Sequence, residues 1–322
     1  MEAGRRHALG LIVLVAACGS KGTPQAAPRA GAILTALLHA ADGEKQPWRC
    51  AAPDTPTLAD EDLGRGWKSH GHTLARSGDD SEVVIGVIAD AASAAPRTIA
   101  SLGRLRAQLD AASPDLVLAL GGMGTDEPTI TATLGTVSDR ATWPVVALPG
   151  DLEPAGAHAA ALAALRKRGA QVLDGRLVRW IEIAGTTIGT LPGAGARERL
   201  VAGADGCAWT ADDVARLYTE LTARTGLRIV ASAEAPRRIR DGEPSGELAL
   251  VPPQPVDLAL HAPTDPAPSP AATGGRDGAK TLLTPGTADA TTRLPDAHSA
   301  SAGVLVIRGQ SWSWKPLVGE SK

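Results

Sequence analysis

From residue 82 onwards, short apolar runs alternate with stretches in which apolar residues recur at helical spacing. The strands predicted in the first half of this region are Val83–Ala89, Asp115–Leu120 and Pro144–Leu148. The helices predicted beside them are Pro96–Ala112, Asp126–Asp139 and Ala157–Arg168. Strands that are apolar almost throughout and alternate with helices indicate a parallel sheet covered on both faces, with right-handed crossovers.

The second half of the chain has shorter predicted strands. Leu177–Ile183 and Thr187–Leu191 are separated by a short turn that contains Gly185, a pattern typical of a hairpin. A helix is predicted at Thr210–Arg224, with Thr210 as its N-cap. The remaining predicted strands are Leu227–Ser232, Val256–Leu260, Thr281–Thr284, Val304–Arg308 and Ser311–Lys315.

The N-terminus has the features of an export signal. Arg5 and Arg6 precede an apolar run, Ala8–Ala17, that ends in small residues before Cys18. The run is too short to span about 30 Å of hydrocarbon, which takes roughly 20 residues. The segment that ends at Cys18 (LVAAC) resembles the lipobox of bacterial lipoproteins. This resemblance implies that residues 1–17 are removed and that acyl chains such as palmitate on Cys18 anchor the protein to a membrane. A plain signal peptide with an incidental cysteine is the alternative.

The resemblance to lipoproteins also predicts a location and a domain order. Gly19 follows Cys18, which in Gram-negative lipoproteins implies the outer membrane, within the bacterial cell envelope. We expect a tether with a short helix over residues 18–47, an irregular N-terminal arm over 48–81 and one domain over 82–318. His70 and His72 in the arm could share a metal ion, although solvent-exposed loop histidines are the commoner case.

Two cysteines remain in the predicted mature chain, Cys50 and Cys207. Because the compartment outside the inner membrane is oxidising, a disulfide between them is allowed. It would fasten the N-terminal arm to the main domain. Two free buried thiols are the alternative, since the sequence does not show how close the two Cα atoms lie.

Composition narrows the range of functions. The formal net charge is -3, so no basic field is available to attract nucleic acid, and we expect no nucleic-acid partner. Aromatic residues make up 2% of the chain, which predicts a core of Leu, Val, Ile and Ala. Three cysteines in all exclude a zinc site built from four thiolates and a disulfide-dense small domain.

Functional residues in open α/β sheets gather at the carboxyl ends of the strands. Here these ends read ADAA at 89–92, GGMG at 121–124, PGDLE at 149–153, ASAEA at 231–235 and ALHAPT at 259–264. Their order resembles that of the calcineurin-like metallophosphoesterases. In that family the ends run Asp-x-His, Gly-Asp, Gly-Asn-His-Asp/Glu, a lone His, and Gly-His-x-His. The resemblance covers roughly residues 82–317 and implies an α/β fold, a mixed two-sheet sandwich flanked by helices.

The chemistry of that family uses two metal ions that clamp a phosphate and activate a bridging hydroxide. Carried over by position, Asp90 keeps the first Asp, Asp151 replaces the Asn, and Glu153 keeps the acid. His261 lies within one residue of the last motif, and Gly122 stands at the bridging Asp. The other ligand positions hold Ala92, Leu152 and Ala233. Because these side chains cannot donate an electron pair, the resemblance implies a scaffold that has lost most of its metal ligands.

We therefore expect a non-catalytic binding or envelope protein, a pseudoenzyme with no metal cofactor and no assigned catalytic residue. The alternative is a phosphoric ester hydrolase with a remodelled or mononuclear site. Such a site would hold one weakly bound divalent metal on Asp90, Asp151 and His261, with Glu153, Asp151 or Glu234 as general base. A sensor or adaptor that binds a small ligand in a glycine-lined hollow is a third hypothesis. The protein or small molecule that it would bind is not identified by the sequence.

Overall fold

The structure is a computed structural model and describes residues 48–51, 55–78, 81–151, 153–195, 205–234, 239–240, 243–244, 256–262, 271–275, 280–285, 287–289 and 301–319. The predicted signal peptide, the lipidation site Cys18 and the tether at 18–47 lie outside these residues, as does Leu152. In the part of the chain that the structure describes, no helix is both long and apolar enough to cross a membrane.

The described residues form helices and many short strands. The helices are α1 (Pro96–Ala112), α2 (Glu127–Ser138), α3 (Ala155–Lys167) and α4 (Ala211–Thr222). The strands are β1 (Trp48–Arg49), β2 (Leu58–Gly64), β3 (Trp67–Gly71), β4 (Thr73–Arg76), β5 (Val83–Ile88), β6 (Leu116–Leu120), β7 (Val145–Leu148), β8 (Val172–Asp174), β9 (Trp180–Ile183), β10 (Thr186–Leu191), β11 (Ala194–Gly195), β12 (Cys207–Trp209), β13 (Leu227–Ser232), β14 (Ile239–Arg240), β15 (Glu243–Pro244), β16 (Leu258–His261), β17 (Ala271–Gly275), β18 (Lys280–Thr284), β19 (Ser301–Arg308) and β20 (Ser311–Val318).

Two large mixed sheets dominate the described part of the fold. The six-stranded sheet has the order β20-β19-β5-β6-β7-β8; it is parallel from β5 to β8 and antiparallel at β19 and β20. The nine-stranded sheet has the order β17-β18-β16-β13-β10-β9-β4-β3-β2. A small parallel sheet, β1-β12-β11, and a short pair, β14-β15, complete the strand pairings.

The core lies in layers that follow the alternation of side chains along the strands. In β6, Leu116, Leu118 and Leu120 join the apolar cluster that includes residues of both large sheets. Val117 and Ala119 point to the opposite face and join the cluster that includes α1, α2 and α3. Since a strand buried on both faces has no polar alternation, the continuous apolar runs in the sequence are explained. The predicted mixed two-sheet sandwich flanked by helices is confirmed.

The helix ends follow from local sequence signals. Helix α1 has the predicted bounds, with a proline in its first turn, and ends before Ser113, which has a left-handed φ of 49°. Thr210 is the N-cap of α4, as predicted: its side chain accepts from the Asp213 N–H while the Asp213 side chain accepts from the Thr210 N–H. Helix α4 packs Leu217 and Leu221 against the outer face of the nine-stranded sheet.

The expectation of an irregular arm over 48–81 is wrong. Strands β2, β3 and β4 pair in antiparallel order, and β4 continues the nine-stranded sheet through a parallel pairing with β9. Trp67 and Leu74 are buried in the core between the sheets, and the Trp67 indole N–H donates to the Asp115 carbonyl. The edge strand β2 is mostly exposed and carries consecutive acidic residues, so it lacks the apolar pattern on which strand prediction depends.

Candidate functional site

The carboxyl ends of the central strands meet at one rim, as the sequence predicts. The Asp90 N–H donates to the Gly121 carbonyl (2.9 Å) and the Ala92 N–H to the Gly122 carbonyl (2.7 Å), which joins the loops after β5 and β6. The nine-stranded sheet reaches the same rim, because a Cβ on Gly121 would lie 3.2 Å from the Cβ of Ala233. The loops after β5 and β6 and the end of β13 therefore lie in direct contact.

Gly122, at the position of the bridging Asp, leaves no room for a side chain. Its φ is +68°, in the left-handed region that favours glycine. A Cβ at this position would lie 2.7 Å from the Cα of Asp90 and 3.1 Å from its Oδ1. A carboxylate here would need the loop after β5 to move, because the backbone of that loop packs directly against Gly122.

The same close packing extends to the loop after β7. A Cβ on Gly121 would lie 2.8 Å from the Cα of Gly150, and a Cβ on Gly150 would lie 3.2 Å from the Gly122 nitrogen. The three glycines thus let the loops after β6 and β7 touch through their main chains. The space between these two loops is therefore filled by peptide groups.

The buried side chain of Glu153 connects the loops after β6 and β7 through hydrogen bonds to their main chains. Its Oε1 accepts from the Met123 N–H (2.6 Å), and its Oε2 accepts from the N–H groups of Gly122 (3.1 Å) and Gly150 (2.7 Å). The side chain is fully buried. Burial raises the pKa of Glu153 to about 7, against the opposing effect of the three N–H groups. A carboxylate held in this way is a structural acceptor and cannot reach a substrate as general base.

The loop that carries Asp90 is braced by residues near the C-terminus that the sequence analysis did not single out. Asp90 has a left-handed φ of 54°. Its carbonyl accepts from the Thr287 hydroxyl (2.8 Å) and from the Asp289 N–H (2.9 Å). Thr98 of α1 in turn donates to Asp289 Oδ1 (3.0 Å). Hydroxyl and carboxylate side chains in a loop are common in any sequence, so no pattern identified this contact in advance.

The side chain of His261 is buried and contacts the main chain of the next residue. His261 lies at the end of β16, paired with Ser232. Its Nδ1 lies 2.7 Å from the Ala262 carbonyl and so carries the proton that this contact needs. Burial lowers the pKa of His261 to about 4, and the Ala262 carbonyl opposes this shift. The ring is therefore neutral near pH 7.

Metal ligands do not gather at the described part of the rim. Across the described ranges, which include Asp90, Asp151 and His261, no group of three or more His, Cys, Asp or Glu side chains is placed to hold a metal ion. Glu234 accepts from the Gly195 N–H (2.7 Å) and so braces the small sheet. The residues present at the rim do not fit the pair of cations that the family resemblance implies.

The Nδ1 atoms of His70 and His72, the other candidate metal ligands, contact different parts of the fold. His70 is exposed and contacts Asp60 Oδ1 (2.9 Å) through Nδ1, whereas the Nδ1 of His72 contacts the Leu177 carbonyl (3.0 Å). Each ring has its own partner on a different element. Among the described residues, His70 and His72 belong to no group of three or more His, Cys, Asp or Glu side chains placed to hold a metal ion.

One buried histidine was not predicted as a site. His158, in α3, is fully buried, and its Nε2 lies 3.1 Å from the Ala147 carbonyl. Burial lowers the pKa of His158 to about 4, although Asp174, 3.9 Å away, opposes this shift. Its neighbours are the ends of β7 and β8 and its ring is shielded from solvent, so we assign it to packing.

Cys50 and Cys207 form a disulfide, with their Cα atoms 5.5 Å apart. Both cysteines are buried. The bridge joins Cys50, which follows β1, to the first residue of β12 within the small sheet. The loops beside this sheet contact the loop after β7 through a Pro154–Gly206 bridge and a Gly193 N–H that donates to the Pro149 carbonyl. The N-terminal part of the described chain is thus fastened beside the candidate rim.

The order of the strands, the two-sheet core and the rim together define the fold of the calcineurin-like metallophosphoesterases. The protein TT1561 of Thermus thermophilus is similar to this chain with a TM-score of 0.51 and 12% identity, over 74% of this chain and 99% of that one. GAP50, the anchor in the inner membrane complex of Plasmodium, is similar with a TM-score of 0.51 and 9% identity, over 75% of this chain and 86% of that one. A dimetal phosphatase from Danio rerio is similar with a TM-score of 0.47 and 13% identity, over 74% of this chain and 99% of that one. At such low sequence identity, the structural similarity establishes the fold alone. No protein-family model and no curated protein sequence matches the chain.

Proposed function

We propose that this chain is a membrane-anchored lipoprotein whose metallophosphoesterase-like domain binds a partner or organises the cell envelope and does not hydrolyse phosphate esters. The acyl chains on Cys18 would hold it to a bacterial membrane, with Gly19 favouring the outer one. Its partner would be another protein or a small molecule. It needs no cofactor for this role.

The observation that carries the proposal is the packing of Gly122 against Asp90. Two-metal hydrolysis requires a ligand that bridges both cations and holds them against their mutual repulsion. The bridging position is a glycine whose Cβ would lie 2.7 Å from the Cα of Asp90. The neighbouring ligand positions hold Ala92, Leu152 and Ala233, which offer no donor atom.

A relative in structure supports the non-enzymatic role by analogy. GAP50, with a similar fold, is described as the anchor in the inner membrane complex of Plasmodium. The same two-sheet scaffold therefore occurs in a protein named for anchoring. At 9% identity this likeness is one of fold, and it supplies a precedent for the proposed role.

Purified full-length protein is expected to hold less than about one Mn, Fe or Zn ion per ten chains and to leave bis-p-nitrophenyl phosphate uncleaved above the buffer rate, because the bridging ligand is absent. Metal content is measured by mass spectrometry on untagged protein from cells supplied with all three metals. Two tightly held ions per chain would refute the proposal. Turnover that disappears in Asp90→Ala would support the hydrolase with a remodelled site instead.

Replacing Cys18 with alanine is expected to move the protein from the membrane fraction to the soluble fraction, because the acyl chains supply the anchor. Incorporation of a labelled fatty acid, followed by fractionation of the cells, measures this directly. Ser20→Ala, two positions away, is the matched control and should stay labelled and membrane-bound. Equal labelling of Cys18→Ala and the unchanged chain would contradict lipidation at this residue.

A further inference from the structure

Residues 48–51, which we name the strap, include β1, the edge strand of the small sheet. Strand β1 pairs in parallel with β12, with Trp48 opposite Cys207, and the Cys50 N–H donates to the Ala208 carbonyl (3.1 Å). The Ala51 carbonyl accepts from Arg179 (3.2 Å) and from Arg216. The strap is thus a short extended segment held by main-chain pairing, two guanidinium contacts and one disulfide.

The strap covers an apolar cluster that is separate from the main core. Ala51 packs in the cluster that also contains Trp180, Trp209, Leu217 and Tyr218. Neither of the two larger clusters, between the sheets and under α1–α3, includes Cys50 or Ala51, the strap residues whose side chains the structure describes. We therefore expect both layers of the sandwich to stay folded when the strap leaves.

The disulfide is the strongest of these contacts. A strand of two residues is marginal without further support, and short segments with few contacts open at low free-energy cost. The bridge joins residues 157 positions apart in the chain, so it keeps the strap beside β12 even when the hydrogen bonds break. A cavity lined by Cys50, Arg179 and Arg216 lies next to the bridge.

We propose that the strap is a redox-released latch. A dithiol reductant transfers two electrons and two protons to the Cys50–Cys207 bridge, the S–S bond breaks, two thiols form, and the reductant becomes a disulfide. Strand β1 then leaves β12, while the two large sheets stay folded. The Ala51 carbonyl is withdrawn from Arg179 and Arg216.

Release also lengthens the connection to the N-terminus. With the bridge intact, the chain is held at the strap; after release, the next described residue held by the body is Thr55, which is buried and accepts from Arg179 (2.6 Å). The segment gained, from Trp48 to Thr55, spans at most about 25 Å when extended. This second consequence rests on the proposed lipid anchor, because it sets how far the body reaches from the membrane, whereas release itself does not.

Hydrogen exchange of the full chain with and without dithiothreitol tests the latch. Reduction is expected to speed exchange at Cys50 and Ala51 at least about tenfold and to leave the amides of β6 unchanged, because only the strap opens. Unchanged exchange in the strap would overturn the proposal. Equal acceleration in β6 would also overturn it, since the bridge would then stabilise the whole fold.

Variants separate the latch from simple instability. Cys50→Ser with Cys207→Ser should show fast strap exchange without reductant. Because the buried bridge is reached only when the strap frays, Arg216→Met should speed its reduction several-fold, and Arg104→Met, on α1, should not. Equal reduction rates in both would contradict the mechanism. All these measurements can be repeated in Cys18→Ala, so failure of the latch and failure of the anchor are distinguishable.

Discussion

Gly122→Asp, which places a carboxylate at the position that the family resemblance assigns to the bridging Asp, is expected to destabilise the fold by about 2–5 kcal/mol and not to create a metal site. Two causes add. The left-handed φ of +68° strains any residue with a Cβ, at about 1 kcal/mol or more, and overpacking against Asp90 costs about 1–3 kcal/mol further. Urea denaturation gives the loss of stability, and mass spectrometry gives the metal content.

The matched control for this substitution is Gly103→Asp. Gly103 lies on the exposed face of α1, and a Cβ there meets nothing within 4 Å. Aspartate and glycine differ by a few tenths of a kcal/mol in helix propensity, so we expect a change within about 0.5 kcal/mol. A Gly122→Asp protein as stable as Gly103→Asp, or one that binds Mn or Zn, would show that the rim is open and would remove the main support for a non-catalytic scaffold.

Glu153→Leu is expected to cost about 3 kcal/mol or more in stability at about pH 5. The N–H groups of Gly122, Met123 and Gly150 would lose their common acceptor inside the protein, and each unsatisfied buried donor costs about 1–3 kcal/mol. Glu153→Gln keeps one acceptor oxygen and should cost about 1–3 kcal/mol. The exposed Glu220→Gln, measured in the same way, should stay within about 0.5 kcal/mol.

The effect of Glu153→Gln should depend on pH in a stated direction. The pKa of Glu153 is about 7 in the folded protein against an ordinary value of 4.5, so the folded state keeps this proton more strongly than the unfolded state. Its contribution to stability is present below about pH 4.5 and is lost as pH rises through about 7, a total of about 3 kcal/mol. Glutamine does not titrate, so the stability gap between the two proteins should narrow between about pH 5 and pH 8. A constant gap would contradict the raised pKa.

The substitutions at Gly122 and at Glu153 test the same contact between the loops after β5, β6 and β7. Gly122 allows the loops after β5 and β6 to touch, and Glu153 holds the loops after β6 and β7 through their N–H groups. In a two-metal site, cations draw side-chain ligands from these loops together. Here the loops contact each other directly, and a buried carboxylate satisfies the amides that face inward.

Much of the fold could be predicted from local patterns. Strands β5, β6 and β7 and helices α1, α2 and α3 were predicted within two residues at each end, because apolar runs and helical spacing were clear. Strand β8, Val172–Asp174, was missed because three residues carry too little pattern. Strands β2 to β4 were missed because their apolar residues, such as Trp67 and Leu74, are few and widely spaced.

The candidate site was predicted only in part. The sequence alone showed that the side chains of Ala92, Gly122 and Ala233 cannot bind a metal, since residue identity decides whether a side chain can donate an electron pair. It also limited the chain to an α/β fold, through the periodicity of its apolar residues. Only the tertiary structure decided that the Gly122 position is closed and that Glu153 faces three main-chain amides. Those facts depend on backbone angles and on contacts between loops distant in sequence, which no local pattern contains.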